Sequence, residues 1–295
     1  MPPSSGEDTE RGMEPGPGTL RAILTIAHLT FTEARRRRVL AAALILGGAF
    51  VLLFGVGLHF MARDIRAHAP PAQQAIFLNL ITLTALYAAN FLIVMTSVLV
   101  TIDTLAGEIG SGVIETLCTK PISRVAVGLG KWLGCWLLLA VYALVLCGGI
   151  LAVGRLVGGQ SPPNAGRGIA LILLEGTVLL TLALAGGTRL STLANGVTIF
   201  GLYGLAFIGG WMEQIGTMVG NAGARYIGIA TSLLVPSESL WQLASYYMQP
   251  SLARDVQIGP FLTASVPSPA MVAWALGYVL VTLLAALQLF RTRDL

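Results

Sequence analysis

The chain has 295 residues, of which 55% are hydrophobic and 11% charged, against about 25% charged in a soluble domain. That leaves too little polar surface to cover a water-soluble globule of this size, and the apolar residues fall in blocks of roughly twenty or more, each able to cross about 30 Å of hydrocarbon as a helix. The formal net charge of +4 is modest, no nucleic-acid partner is expected, and the position of the basic residues beside the apolar blocks carries more information than their sum.

Residues 1–18 hold Pro, Gly, Ser and four acids without periodicity, a composition expected to stay a disordered cytoplasmic tail. From Leu20 the spacing becomes helical. Leu20, Ile23, Leu24, Ala27, Phe31 and Ala34 share one face, and Arg21, Thr25, His28, Thr32 and Arg35 the other. This predicts an amphipathic helix lying in the membrane interface, with Arg35 to Arg38 anchoring the turn into the bilayer. Six membrane spans follow at about 39–61, 76–101, 131–153, 168–188, 192–212 and 269–290. With the N-terminus inside, Arg63, Arg66, Arg155, Arg167, Arg225 and Arg254 are the six basic residues on the outer side, against twelve on the cytoplasmic side. That bias predicts that both termini are cytoplasmic in a multi-pass membrane protein.

Several polar groups fall inside the spans. On the second, Asn79, Asn90, Ser97 and Thr101 lie on one face with Thr82 and Tyr87 at its edges. Such a face suits either the wall of a translocation path between two subunits or hydrogen bonding within one bundle. Glu175 on the fourth span should face protein, water or a cation, because an unpaired carboxylate in hydrocarbon is costly. Gly130 and Gly134 at the start of the third span form a small-xxx-small pair for close helix packing. Cys118, Cys135 and Cys147 make no CxxC pair and are expected to stay reduced. His28, His59 and His68 are scattered, so neither a metal site nor a catalytic site is expected.

Between the fifth and sixth spans, residues 213–268 carry only short apolar runs. Tyr226 to Val235 is apolar for about ten residues before Pro236, which predicts a re-entrant or interfacial outer helix, and Trp241, Tyr246 and Tyr247 are expected at the head-group level.

The densest polar segment of the membrane region is the loop at 103–131. Gly110, Ser111 and Gly112 permit a sharp change of direction, Val113 to Cys118 suits a short helix, Pro121 stops it, and Ser123 is placed to cap the next helix. The residues Glu108, Ser111, Gly112, Glu115, Pro121, Ser123, Arg124 and Lys131, in the order E-x-x-S-G-x-I-E-x-L-x-x-x-P-I-S-R followed by L-G-K, resemble the coupling loop of type-2 ABC transporter permeases. The chain is also similar to single-domain bacterial permeases such as the one serving nitrous-oxide reductase maturation. Val113 and Ile109 depart from the residues common in that family.

The resemblance implies an all-α permease over 19–295, with an N-terminal interfacial elbow helix, six spans, a coupling helix in the loop and a capped outer segment. It also implies a cytoplasmic ATPase subunit in two copies, a second permease copy (a homodimer is expected) and surrounding lipid, with room for an outer or periplasmic partner. No phosphate-binding loop is present, since Gly130-Lys131 is preceded by Val125 at the first Gly position and followed by Trp132, so ATP and Mg are expected in the partner and no cofactor in this chain. The implied function is ATP-driven export of a substrate past Asn79, Thr82, Tyr87, Asn90, Ser97 and Glu175. The alternative is a membrane anchoring or assembly subunit that passes ATPase motion to an outer partner without moving cargo.

Overall fold

The computed structural model describes residues 17–36, 38–110, 123–251 and 265–292. Among them there is no strand, and every element is helical. Helix α1 (Pro17–Arg36) opens on a proline, whose missing N–H is harmless in a first turn. Helices α2 (Arg38–His68) and α3 (Pro71–Gly110) follow. Helix α4 (Arg124–Val153) starts where Ser123 accepts a hydrogen bond from the Ala126 N–H at 3.2 Å, the cap expected from sequence. It ends in a π-helical turn, Gly154–Gly158, closed by Gly159 at φ 73°. Arg66 of α2 donates to the carbonyls of Val157 and Gly158, at 2.8 and 3.1 Å, and so satisfies the exposed end of that turn.

Helices α5 (Ala165–Gly187) and α6 (Thr192–Val219) complete the middle of the bundle. Gly220, at φ 72°, ends α6 in the left-handed conformation that lets the chain reverse. Helix α7 (Ala222–Leu234) then returns along α6, and after Pro236 helix α8 (Ser237–Met248) turns back. Helix α9 (Ala270–Arg291) is the last element.

Six of these helices, α2 to α6 and α9, are long and apolar enough to cross a bilayer. They reach beyond the apolar stretches that the sequence marks. At 1.5 Å per residue the 40 residues of α3 extend about 60 Å, twice the hydrocarbon thickness, so helix continues where hydropathy has already fallen. The fifth span runs to Val219 rather than 212, and the third begins at Arg124 rather than 131.

Helix α5 forms the centre, packed against α3, α4, α6, α8 and α9. Its Ile172, Val178, Leu179, Leu180 and Ala183 are fully buried. Helix α2 lies outermost, with Ile45, Leu52 and Leu53 about 70% exposed, a surface that only hydrocarbon or another apolar protein can cover. One end of the bundle carries the ends of α3 and α6 nearest the 103–131 segment and is called here the loop end. The opposite end carries the α6–α7–α8 hairpin.

Helix α1 packs lengthwise on α4 at the loop end. A Cβ on Gly130 would sit 2.7 Å from Ile26 Cβ and 2.9 Å from the Ile23 carbonyl, and one on Gly134 2.7 Å from the Ala27 carbonyl. The small-xxx-small pair is therefore the seat of α1, buried there through Ala27, Thr30 and Ala34 while Leu20, Leu24 and Leu29 stay exposed.

The segment after α6, expected from sequence to cap the bundle, enters it instead. Helix α7 descends along α6 until Thr231 lies against Gly209, and α8 climbs back until Met248 meets Gly168 near the start of α5. Trp241 corrects the head-group expectation: it is 3% exposed, with its ring 5.0 Å from that of Tyr87 in the interior. Aromatic composition marks interfacial rings in a span, but here Pro236 turns the helix inward and Trp241 with it. Tyr246 and Tyr247 are half-buried near the hairpin end, where Arg167 lies over the Tyr247 ring at 5.9 Å.

Candidate functional site

Three features of the bundle can carry function, and the first is the root of the 103–131 loop. Residues 111–122 lie outside the described residues, and with them Ser111, Gly112, Glu115 and Pro121. Glu108 is in the last turns of α3, with its side chain also outside that set. The two ends of the loop are well placed. On the α3 side, Thr192 at the start of α6 donates to Asp103 Oδ1 at 3.2 Å. On the α4 side, Ser123 caps the helix and Arg124 Nη1 reaches the carbonyl of Arg291 at the end of α9, 3.5 Å away. A guanidinium there meets the negative end of the α9 dipole. Lys131 is 4% exposed, turned inward, and its Nζ points to the Thr104 carbonyl of α3 at 3.5 Å. The loop is thus tied at its roots to α3, α4, α6 and α9.

The second feature is a cavity of about 670 Å³ on the side of the bundle, between α2, α3 and α6. It is lined by Leu46, Phe50, Tyr87, Phe91, Tyr203 and Phe207, among others, and is almost wholly apolar. Its size falls within the roughly 300–1,000 Å³ of ligand pockets. Of the sequence-predicted path residues only Tyr87 lines it. Asn79, Thr82, Asn90 and Ser97 are 2–3% exposed and face the interior of their own bundle. Thr82 and Ser97 return their hydroxyls to the Leu78 and Val94 carbonyls, and Thr101 to that of Ser97. Helical periodicity groups these residues correctly, yet the face of α3 on the open side carries Phe91 and Leu99 instead. Between α4 and α5 the bonds are interhelical: the Trp132 and Trp136 indoles of α4 donate to Thr181 and Thr177 of α5 at 2.9 and 3.1 Å.

The third feature is a set of acids where α8 meets α5 and α6. Glu175 is fully buried, and no hydrogen bond of ordinary geometry reaches either carboxylate oxygen among the described residues. Asn90 and Glu238 are the side chains acting on it. Glu238 of α8 is 5% exposed and packs into the space left by Gly210 of α6. Glu213 of α6 is 7% exposed and accepts from the Ser265 hydroxyl at 2.6 Å. Sequence reading finds Glu175 but not its companions. Glu213 lies one residue past the expected end of the fifth span, and Glu238 sits in a segment whose amphipathic composition conceals its burial. Among the described residues no group of three or more His, Cys, Asp or Glu could hold a metal ion.

Six apolar helices, an elbow packed on the third and a hairpin folded into the bundle before the last make up the described domain. Residues 24–295 match the family model described as ABC-2 family transporter protein. The chain belongs to the ABC-2 transporter family. It is therefore a membrane permease of an ABC transporter, embedded in a bilayer and working with an ATP-binding partner subunit. No curated protein matches this permease closely.

Proposed function

We propose that this permease is the membrane half of an exporter in a bacterial inner membrane. Two copies associate with two cytoplasmic ATPase subunits, which bind ATP and Mg and perform all the hydrolysis. Both termini and the 103–131 loop face the cytoplasm, consistent with the twofold excess of basic residues on that side. The observation that carries this reading is the way the loop is rooted. Asp103, Ser123, Arg124 and Lys131 connect it to four helices, so displacement of the loop by a closing ATPase is passed to the bundle rather than absorbed in slack.

The side cavity is the candidate substrate space. Its wall on one side is missing, and a second copy of the permease set against α2, α3 and α6 would supply it. Gly204 lines this cavity, and a Cβ there would meet nothing within 4 Å. Filling the space from that position leaves the bundle intact.

The test is transport in vesicles containing the permease and its ATPase. Reversing charge at Glu115 and Arg124 together, E115K with R124E, is expected to leave membrane insertion and ATPase binding measurable while hydrolysis no longer drives substrate movement. Normal transport by that double variant would remove the coupling role from these residues.

A further inference from the structure

The side cavity continues toward the hairpin end. A second cavity, of about 550 Å³, opens there between the end of α2 and the start of α3, where Met61, Asp64 and His68 face Gln73, Phe77 and Thr84. Both cavities use the same faces of these two helices. On α2, Leu46 and Phe50 line the side cavity and Met61, Asp64 and His68 the second. At about 100° per residue all five fall within about 60° of one another. On α3, Phe77, Ile81 and Thr84 of the second cavity share a face with Ala88 and Phe91 of the first. Between the cavities the α2 face is open: Gly57 has nothing within 4 Å of its Cβ position, and Leu53 is 73% exposed. On α6 the Phe207 ring of the side cavity lies 6.3 Å from that of Trp211, one turn nearer the hairpin end. The two cavities are the ends of one groove.

Those ends differ in chemistry. The inner chamber is walled by Leu46, Phe50, Phe91 and Phe207, and its polar groups are the phenols of Tyr87 and Tyr203. At the mouth, Asp64 Oδ1 stands 3.1 Å from His68 Nδ1, and both side chains are more than three-quarters exposed. Asp64 is the only carboxylate lining either cavity among the described residues. The arginines of this helix end do not neutralise it. Arg66 holds the Val157 and Gly158 carbonyls, and Arg63 stands about 100° around α2 from Asp64. Phe50 and Asp64 are about 21 Å apart along α2 by helix rise. An extended chain advances about 1.2 Å per bond, so about seventeen bonds reach from the mouth to the chamber.

We propose that this groove binds a single-chain amphiphile with a cationic head, the ammonium beside Asp64 and His68 and the tail laid past Gly57 to Phe50 and Phe91. This rests on the side cavity being the substrate space, and it names the class of substrate taken there. A tail that leaves lipid for an apolar groove gains little, because lipid tails are as apolar as the groove. The head therefore decides which amphiphile is retained, and Asp64 is the charge that reads it.

The test uses the full-length permease alone in phosphatidylcholine nanodiscs. The probes are hexadecyl chains with a diazirine at the tail end and either a trimethylammonium or a sulfate head, and the labelled residues are mapped by peptide mass spectrometry. The trimethylammonium probe is expected to label the Phe50 and Phe91 region saturably. In low salt it should half-saturate at about a tenth of the concentration the sulfate probe needs, a preference that added salt weakens. Asp64→Asn should weaken its binding about threefold, and Asp64→Lys should reverse the preference between the heads. Gly57→Trp, which fills the open stretch of the groove, should abolish saturable labelling.

Equal half-saturation by the two heads overturns the proposal, and so does a head preference that Asp64→Lys leaves unchanged. Labelling no denser at Phe50 and Phe91 than at Ile45 and Leu52, on the opposite side of α2, also overturns it. The comparison of heads on wild type decides the matter even if a variant does not fold. Movement of the same probes in vesicles with the ATPase keeps the two readings apart. Labelling with the expected head preference but no ATP-driven movement would sink the substrate-space reading while the binding site stands. Movement blocked by Gly204→Trp, but equal for both heads, would sink the cationic class alone.

Discussion

Substituting Gly134 by Leu tests the seat of α1, the element that ties the elbow helix to the permease bundle. A Cβ at this position would lie 2.7 Å from the Ala27 carbonyl and 2.7 Å from Thr30 Cβ, where carbon atoms in favourable contact stand at about 3.5–4.0 Å. Helix α1 must retreat by about 1 Å for the first carbon alone, and the rest of a leucine has no space to enter. Overpacking of this kind costs up to about 3 kcal/mol, and exchanging glycine for a good helix former returns about 1 kcal/mol. The net of about 2 kcal/mol reduces the ratio of seated to unseated α1 by a factor of roughly 30.

Gly148, on the same helix, has nothing within 4 Å of its Cβ position. Gly148→Leu should therefore be neutral or stabilising. The readout is the reaction of a cysteine placed at Ala27, 7% exposed in the seated helix, with a membrane-impermeant maleimide, beside thermal unfolding in nanodiscs. If the Gly134 and Gly148 variants label Ala27→Cys at the same rate, α1 is not held where the structure puts it.

Further expectations concern the loop root, the hairpin and the side cavity. Ser123→Ala removes the only side-chain cap of α4 among the described residues and should lower stability by about 1 kcal/mol in denaturant titration, with Ser123→Asp close to wild type. Trp241→Ala opens a cavity beside Tyr87 and should cost about 3–5 kcal/mol, while Trp241→Phe keeps most of the packing. Gly204→Trp should block substrate movement in vesicles while thermal stability stays within about 0.5 kcal/mol of wild type, as for a substitution that touches no packed group. Unimpaired transport by that variant would exclude the side cavity as the path.

Local chemistry was the most legible part of this chain. The Ser123 cap depends on one hydroxyl and the N–H three residues on, and the seat at Gly130 and Gly134 on a spacing of one helical turn, so both could be read from neighbours in sequence. The six spans were legible because hydrocarbon demands long apolar runs, although their ends were not, since a helix outlasts its hydropathy. What a polar face meets was not legible. Asn79, Asn90 and Ser97 share a face by periodicity alone, but only the packing of α5 and α8 against α3 turns that face inward. The burial of Trp241 and Glu238 was hidden for the same reason: Pro236 reverses the chain inside the bundle, and nothing in the local composition distinguishes that from a helix resting on the surface.

The 103–131 loop is the place where we propose that the ATPase engages this permease. A photo-crosslinking residue at Glu115, compared with one at Asn221 in the α6–α7 turn at the hairpin end, tests this most directly in membranes containing the ATPase. Capture of the ATPase from position 115 and not from position 221 is the predicted result; capture from 221, or from neither position, would contradict it.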